Sequence, residues 1–150
     1  MPSDPKFTTS QGTVIGAHAE DAEMNAAIAQ ARNTLSRFTE QFLAQDPSCS
    51  GFMVKAFFPE ATDAQSGEHL WVAVLSIRGQ KLRGIVTSHP LFLTHLRPME
   101  EVLIDVSAVT DWMFVQNDKL VGGRTVRLLR NRMTEEEREQ HDAAYPFSFD

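Results

Sequence analysis

Apolar positions near the start of the chain recur at Met24, Ile28, Ala31, Leu35, Phe38 and Phe42, at intervals that alternate between four and three residues. Asn25, Gln30, Arg32, Asn33, Arg37 and Glu40 fill the other sides. This spacing predicts one long amphipathic helix of about five turns with a single apolar stripe. Glu20, Asp21 and Glu23 lie at its start, where the helix dipole favours negative charge, and Asp46-Pro47 closes it. Past Ser48-Cys49-Ser50-Gly51 the period falls to two. Phe52, Val54, Ala56 and Phe58 alternate with Met53, Lys55 and Phe57 in a first strand ending at Pro59.

A polar loop, Glu60 to Gly67, leads to Leu70-Trp71-Val72-Ala73-Val74-Leu75, which is apolar on both faces, and Arg78-Gly79-Gln80 turns the chain into Lys81 to Ser88. The second and third strands are therefore expected to form a hairpin. The second, the most continuously apolar, is placed centrally under the helix, with Trp71, Ala73, Leu75 and Ile77 on one face. His89 to Glu100, with Pro90 and Pro98 around Leu91-Phe92-Leu93, reads as an ordered loop or a helical turn. A fourth strand is expected over Glu101 to Val106 and a fifth over Trp112 to Gln116, followed by an Asn117-Asp118 turn and Leu120-Val121. Gly122-Gly123 releases the chain into Arg124 to Arg132, readable as helix or irregular strand. Thr134-Glu135-Glu136-Glu137 has the capping-box pattern of a short helix reaching Ala144.

These elements suit one α+β domain over residues 20–145: a long N-terminal helix packed on a twisted antiparallel sheet of about five strands, curled towards a small SH3-like barrel, with a short C-terminal helix. Residues 1–19, with Pro2, Pro5, Gly12 and Gly16, read as a flexible leader, and 146–150 as a tail. At 150 residues the chain is long enough for a single core. No stretch approaches the ~20 apolar residues of a membrane span. Met1 to His18 has neither a basic start nor a long apolar run, so no signal peptide is expected. A single cysteine, Cys49, points to a reducing cytoplasm. Fourteen Lys and Arg against 20 Asp and Glu give a net charge of −6, which disfavours a nucleic-acid partner.

No strong catalytic or metal signature is present, so no cofactor and no catalytic residue is expected. Among the histidines only His89 and His95 share a segment, and a metal there would need Glu100 or Glu101 as third ligand; loop histidines bonded to backbone are the plainer reading. Cys49 could act as a nucleophile only if His69 approached it, and an inert residue in a helix-to-strand loop is preferred. Asp105 and Asp111 could divide acid and base work, but an Asp after Thr110 is more simply a turn-former. Lys119, Arg124, Arg127, Arg130 and Arg132 could make an anion or nucleic-acid stripe; the acidic run from Glu135 to Asp142 can neutralise it.

Glu68-His69-Leu70-Trp71-Val72, Gly84, Val109-Thr110-Asp111-Trp112-Met113-Phe114, Lys119-Leu120-Val121-Gly122-Gly123-Arg124-Thr125 and Arg127-Leu128-Leu129-Arg130, in that order, resemble the bacterial domain of unknown function 2314, the YegJ-like family. The resemblance spans about Met24 to Asp142. It implies a small α+β bacterial protein and carries no activity with it. Packing is the first expectation for Trp112, the glycines and Thr125 together. A shallow binding site formed by Asp111, Trp112, Gly122, Gly123, Arg124 and Arg127, open to an anionic or peptide ligand, is the sharper one. For the whole protein the leading expectation is a non-enzymatic module that binds a protein partner, of inhibitor or immunity type, its acidity suiting a basic target. The alternatives are a small hydrolase-like or metal-assisted enzyme using His69, His89, His95, Asp105 and Asp111, and nucleic-acid or anion binding through the stripe from Arg124 to Arg132.

Overall fold

The computed structural model describes residues 9–10, 12–13, 21–91 and 93–149. Two short strands, β1 (Thr9–Ser10) and β2 (Gly12–Thr13), pair with each other. The rest of the leader expected over residues 1–19 lies outside the described residues.

The expected long helix is two helices, α1 (Ala22–Asn33) and α2 (Leu35–Ala44), broken at Thr34. Asp21 caps α1, its carboxylate accepting from the Met24 amide at 3.3 Å. The break has a tertiary cause. The Trp112 indole N–H donates to the Ala31 carbonyl at 3.0 Å, and the Thr34 hydroxyl donates to the Gln30 carbonyl at 2.7 Å. The Ala31 carbonyl is thus engaged from outside the helix and the Gln30 carbonyl by the Thr34 side chain, and a side chain inserted into the ladder bends a helix.

Six strands form the main sheet instead of five: β3 (Cys49–Glu60), β4 (Asp63–Arg78), β5 (Lys81–Val86), β6 (Glu101–Asp105), β7 (Val109–Gln116) and β8 (Lys119–Gly122). Their order is β6-β5-β4-β3-β7-β8, every neighbour antiparallel. The sheet is open, with β6 and β8 at its two edges, so the expected SH3-like curl into a barrel does not occur. The extra strand is the Leu120-Val121 segment, which the Asn117-Asp118 turn folds back onto β7, both turn residues having positive φ (52° and 66°). β4 and β5 form the expected hairpin around Gly79-Gln80.

The helices cover β7 and its neighbour β3 rather than the second strand of the sequence, β4. Phe38 lies at the centre of this first face, fully buried, with Phe52, Trp112 and Phe114 at ring-centroid distances of 5.6, 5.9 and 6.4 Å. Val54, Ala56, Leu70 and Val72 continue the core along β3 and β4. Ile77 packs against this core, not beside Trp71 and Ala73 as alternation suggested. A bulge between Val74 and Ser76 inserts one residue and exchanges the faces beyond it.

The described residues of the loop between β5 and β6 contain no helical turn, and the Glu68 carboxylate accepts from the Leu91 and Leu93 amides, each at 2.9 Å. After β8 the chain forms α3 (Arg124–Asn131), which settles the segment readable two ways, and α4 (Glu135–Ala143), which has the expected capping box. Residues 145–149 then return across the second face of the sheet, where Phe149 is buried.

Candidate functional site

On that second face, Trp71 of β4, Lys55 of β3 and Asp111 of β7 stand side by side, because the registers pair Lys55 with both Trp71 and Asp111. Asp111 is fully buried and is not a turn-former. One carboxylate oxygen accepts from the Trp112 amide at 2.8 Å and the Arg124 amide at 3.2 Å; the other accepts from the Thr125 amide at 2.8 Å and the Thr125 hydroxyl at 2.5 Å. The first turn of α3 has no side-chain cap of its own, since its N-cap is Gly123. Asp111 supplies that cap from a neighbouring strand and places a negative charge at the positive end of the helix. Lys55 donates to the Thr125 hydroxyl at 2.7 Å, with its ammonium 5.4 Å from the Trp71 ring centre. Burial lowers the Lys55 pKa, and the Asp111 charge opposes that shift.

The other sequence candidates fasten the same junction. Trp112 is fully buried. Gly122 has φ +79°, and a Cβ there would lie 2.5 Å from the Trp112 carbonyl oxygen and 2.7 Å from its ring. The Arg127 guanidinium donates to the carbonyls of Gly122 (2.8 Å), Leu120 (2.6 Å) and Phe149 (2.6 Å). Arg124 stacks over Trp112 at 5.3 Å, and its Nη1 is buried with no hydrogen-bond partner. Arg130 forms a two-pronged pair with Asp142 at 2.8 and 2.6 Å, and Arg132 bridges to Asp21 at 2.8 Å. Within the stripe Arg130 and Arg132 are thus paired with carboxylates while Arg127 is spent on backbone carbonyls, and Arg130 holds the Asp142 carboxyl well below the usual range.

The structure does not gather the enzyme candidates. His69 bonds through Nδ1 to the Thr110 hydroxyl at 3.2 Å, and His95 lies 3.9 Å from Glu60. Burial, and then the Lys55 charge, pull the His69 pKa down to about 4. Asp105 caps a 3₁₀ turn (Val106–Ala108) by accepting from Ser107 and pairs with Lys81, remote in role from Asp111. Glu100 accepts from the Arg97 amide and Glu101 pairs with Arg83. Cys49 starts the strand on which Phe57 faces His69, eight residues or about 26 Å away along the strand. Among the described residues no group of three His, Cys, Asp or Glu side chains could hold a metal ion.

The second face also carries an apolar row that sequence reasoning did not single out as a site. Met113, Met53, Ala73 and Ile85 are register partners in succession across β7, β3, β4 and β5. Exposed Leu75 lies close by on β4, and exposed Leu103 on edge strand β6. Phe147 packs onto the row between two cavities of about 230 and 310 Å³, both walled by Met53, Met113 and Phe147. The first extends to Trp71, Thr87 and Val126. The signal for this face was the second strand's apolarity on both sides, which a sheet covered on one side only does not require.

A family model described as "Uncharacterized protein conserved in bacteria (DUF2314)" matches residues 21–149. A putative ankyrin repeat protein of Neisseria meningitidis serogroup B is 36% identical over 134 residues, covering 86% of this chain and 53% of that protein. This chain thus spans about half the length of that relative. The uncharacterized protein YegJ of Escherichia coli K12 is 27% identical over 120 residues, covering 80% of this chain and 75% of that protein. No solved structure matches the chain significantly. No helix among the described residues is long and apolar enough to cross a membrane.

Proposed function

The chain belongs to the bacterial family described as DUF2314, and from that premise we propose that it is a non-enzymatic interaction module whose second sheet face binds a protein partner. The observation that carries this reading is the half-buried row Met53, Ala73 and Ile85, which continues from buried Met113 and is flanked by half-buried Trp71 and exposed Leu75, with no helix laid over β4 and β5 there among the described residues. Apolar surface left beside a completed core marks an interaction site in a small protein. Methionine and tryptophan suit such a surface, one adaptable and the other a large anchor. In this reading Asp111, Trp112, Gly122, Gly123, Arg124 and Arg127 serve recognition indirectly, by fixing α3 and the chain end beside the face. The net charge of −6 favours a basic target, as for an inhibitor- or immunity-type protein. The Neisseria relative's name, putative ankyrin repeat protein, supports a setting in protein recognition.

The test is site-specific photo-cross-linking in the protein's own bacterium, with a photoreactive residue at Leu75 on the second face or at Arg37 on exposed α2. A discrete adduct with one protein from Leu75 and none from Arg37 is expected. Equal adducts from both positions, or none from Leu75, would overturn the reading.

A further inference from the structure

Lys55 takes no part in the apolar row, and its amine is held in surroundings that few lysines occupy. It is half-buried in the middle of the sheet, between Trp71 of β4 and Asp111 of β7. β7 bulges at Thr110, the residue left over between the pairs Ala56 with Val109 and Lys55 with Asp111. Two consecutive polar residues therefore serve this face: Thr110 meets His69, and Asp111 meets Thr125. A lysine drawn into a protein ordinarily has a carboxylate against it. Here the four acceptor positions of Asp111 are taken by three backbone amides and the Thr125 hydroxyl, and Lys55 reaches it only through that hydroxyl. Among the described residues no carboxylate lies within ion-pair distance of Lys55.

The hydrogen-bond directions decide what the amine can do. Thr125 has one hydroxyl proton, which goes to Asp111, so its oxygen accepts from Lys55. A neutral amine makes that same bond with one of its two protons and keeps its lone pair unused. Losing the third proton thus costs Lys55 no hydrogen bond, while burial favours the neutral form against the pull of Asp111. His69, the other base on this side, is neutral at pH 7. Trp71, whose ring centre lies 5.4 Å from the amine, also walls the 230 Å³ cavity with Met53, Met113 and Val126. A desolvated amine beside apolar walls is the setting in which a lysine attacks carbonyl groups. We infer that Lys55 is a nucleophilic amine that captures a small apolar aldehyde, the aldehyde's chain lying in the cavity beside Trp71. The amine lone pair adds to the carbonyl carbon, and one amine proton passes to the oxygen, giving a carbinolamine. That hydroxyl leaves with the second amine proton as water, so amine and aldehyde become an imine and one water with no change of oxidation state. Protonated from solvent, the imine nitrogen donates to Thr125 as the amine did. A six-carbon aldehyde suits the cavity, since a dry apolar cavity of about 150 Å³ holds benzene. This chemistry stands whether or not the row beside it binds a partner.

The test treats the full chain with hexanal and sodium cyanoborohydride, which fixes imines as secondary amines, and reads each lysine by peptide mass spectrometry. Exposed Lys81 and Lys119 are the internal references. At pH 7 Lys55 is expected to be labelled at least about tenfold faster than either, since an ordinary lysine is almost wholly protonated there. Raising the pH to 9 should bring that ratio down at least about tenfold, because the references gain free amine and Lys55 has little left to gain. Glyoxylate, a polar and anionic aldehyde, should show a ratio at pH 7 at least about fivefold lower than hexanal, having no apolar chain for the cavity to bury. Lys55 labelled no faster than the references, Lys55 left unlabelled, a ratio indifferent to pH, or one as high with glyoxylate as with hexanal overturns the inference.

Discussion

At the scale of single residues, the polar groups of the second face are committed to one another. Asp111 accepts four hydrogen bonds, Thr125 joins it to Lys55, and His69 is tied to Thr110. His69 has the clearest consequence. Its pKa is lowered from 6.5 to about 4 in the folded protein, so between those values the unfolded chain takes up a proton that the folded one refuses, and stability falls as pH drops through that window. Asp142, whose carboxyl is also lowered, contributes stability that is lost only below the ordinary carboxylate range, so a comparison at pH near 4.5 separates the two. Urea midpoints at pH 7 and 4.5 should therefore fall further for the natural protein than for His69→Gln. Equal falls would show that His69 titrates normally.

Among the elements, the two C-terminal helices are started by opposite means. α4 caps itself, the Thr134 hydroxyl accepting from the Glu137 amide while the Glu137 carboxylate accepts from Thr134. That pattern is local and was legible as T-x-x-E. α3 is capped by Asp111, 13 and 14 residues upstream of the amides it serves, which no local pattern announces. Thr134→Ala should cost about 1 kcal/mol of unfolding free energy. Asp111→Ala, which strips a buried partner from Lys55 and Thr125 as well as a cap, should cost about 3–5 kcal/mol. Denaturant unfolding of both variants checks the ordering; similar losses would mean that Asp111 does no more than an ordinary cap. The break at Thr34 has a similar character: the apolar stripe runs through it unaltered, and beside the local Thr34 hydroxyl it is Trp112, 78 residues from Thr34 in sequence, that engages the Ala31 carbonyl.

For the whole molecule, the arginines after Gly123 are the sharpest case of a charged run engaged by the fold's own groups. Arg127 holds three carbonyls, Arg130 holds Asp142 and Arg132 holds Asp21, so the run of positive charge seen in the sequence is not presented as one. A labelled DNA duplex at physiological salt should show no anisotropy change with the protein at about 10 μM, because phosphate binding needs several cations released to it together. A saturable, salt-sensitive change would restore the stripe as a functional surface. The sequence by itself determined the α+β class, the β4–β5 hairpin, the Asn117-Asp118 turn and the capping of α4, since each rests on periodicity or on contacts within a few residues. Tertiary structure alone decided the rest. A bulge after Val74 moved Ile77 to the other face, an indole divided the first helix, β8 and β6 ended the sheet as open edges, and residues 145–149 crossed onto the second face. Each of these depends on which distant groups meet, and strand order and register, which settle that, are written in no short stretch of the chain.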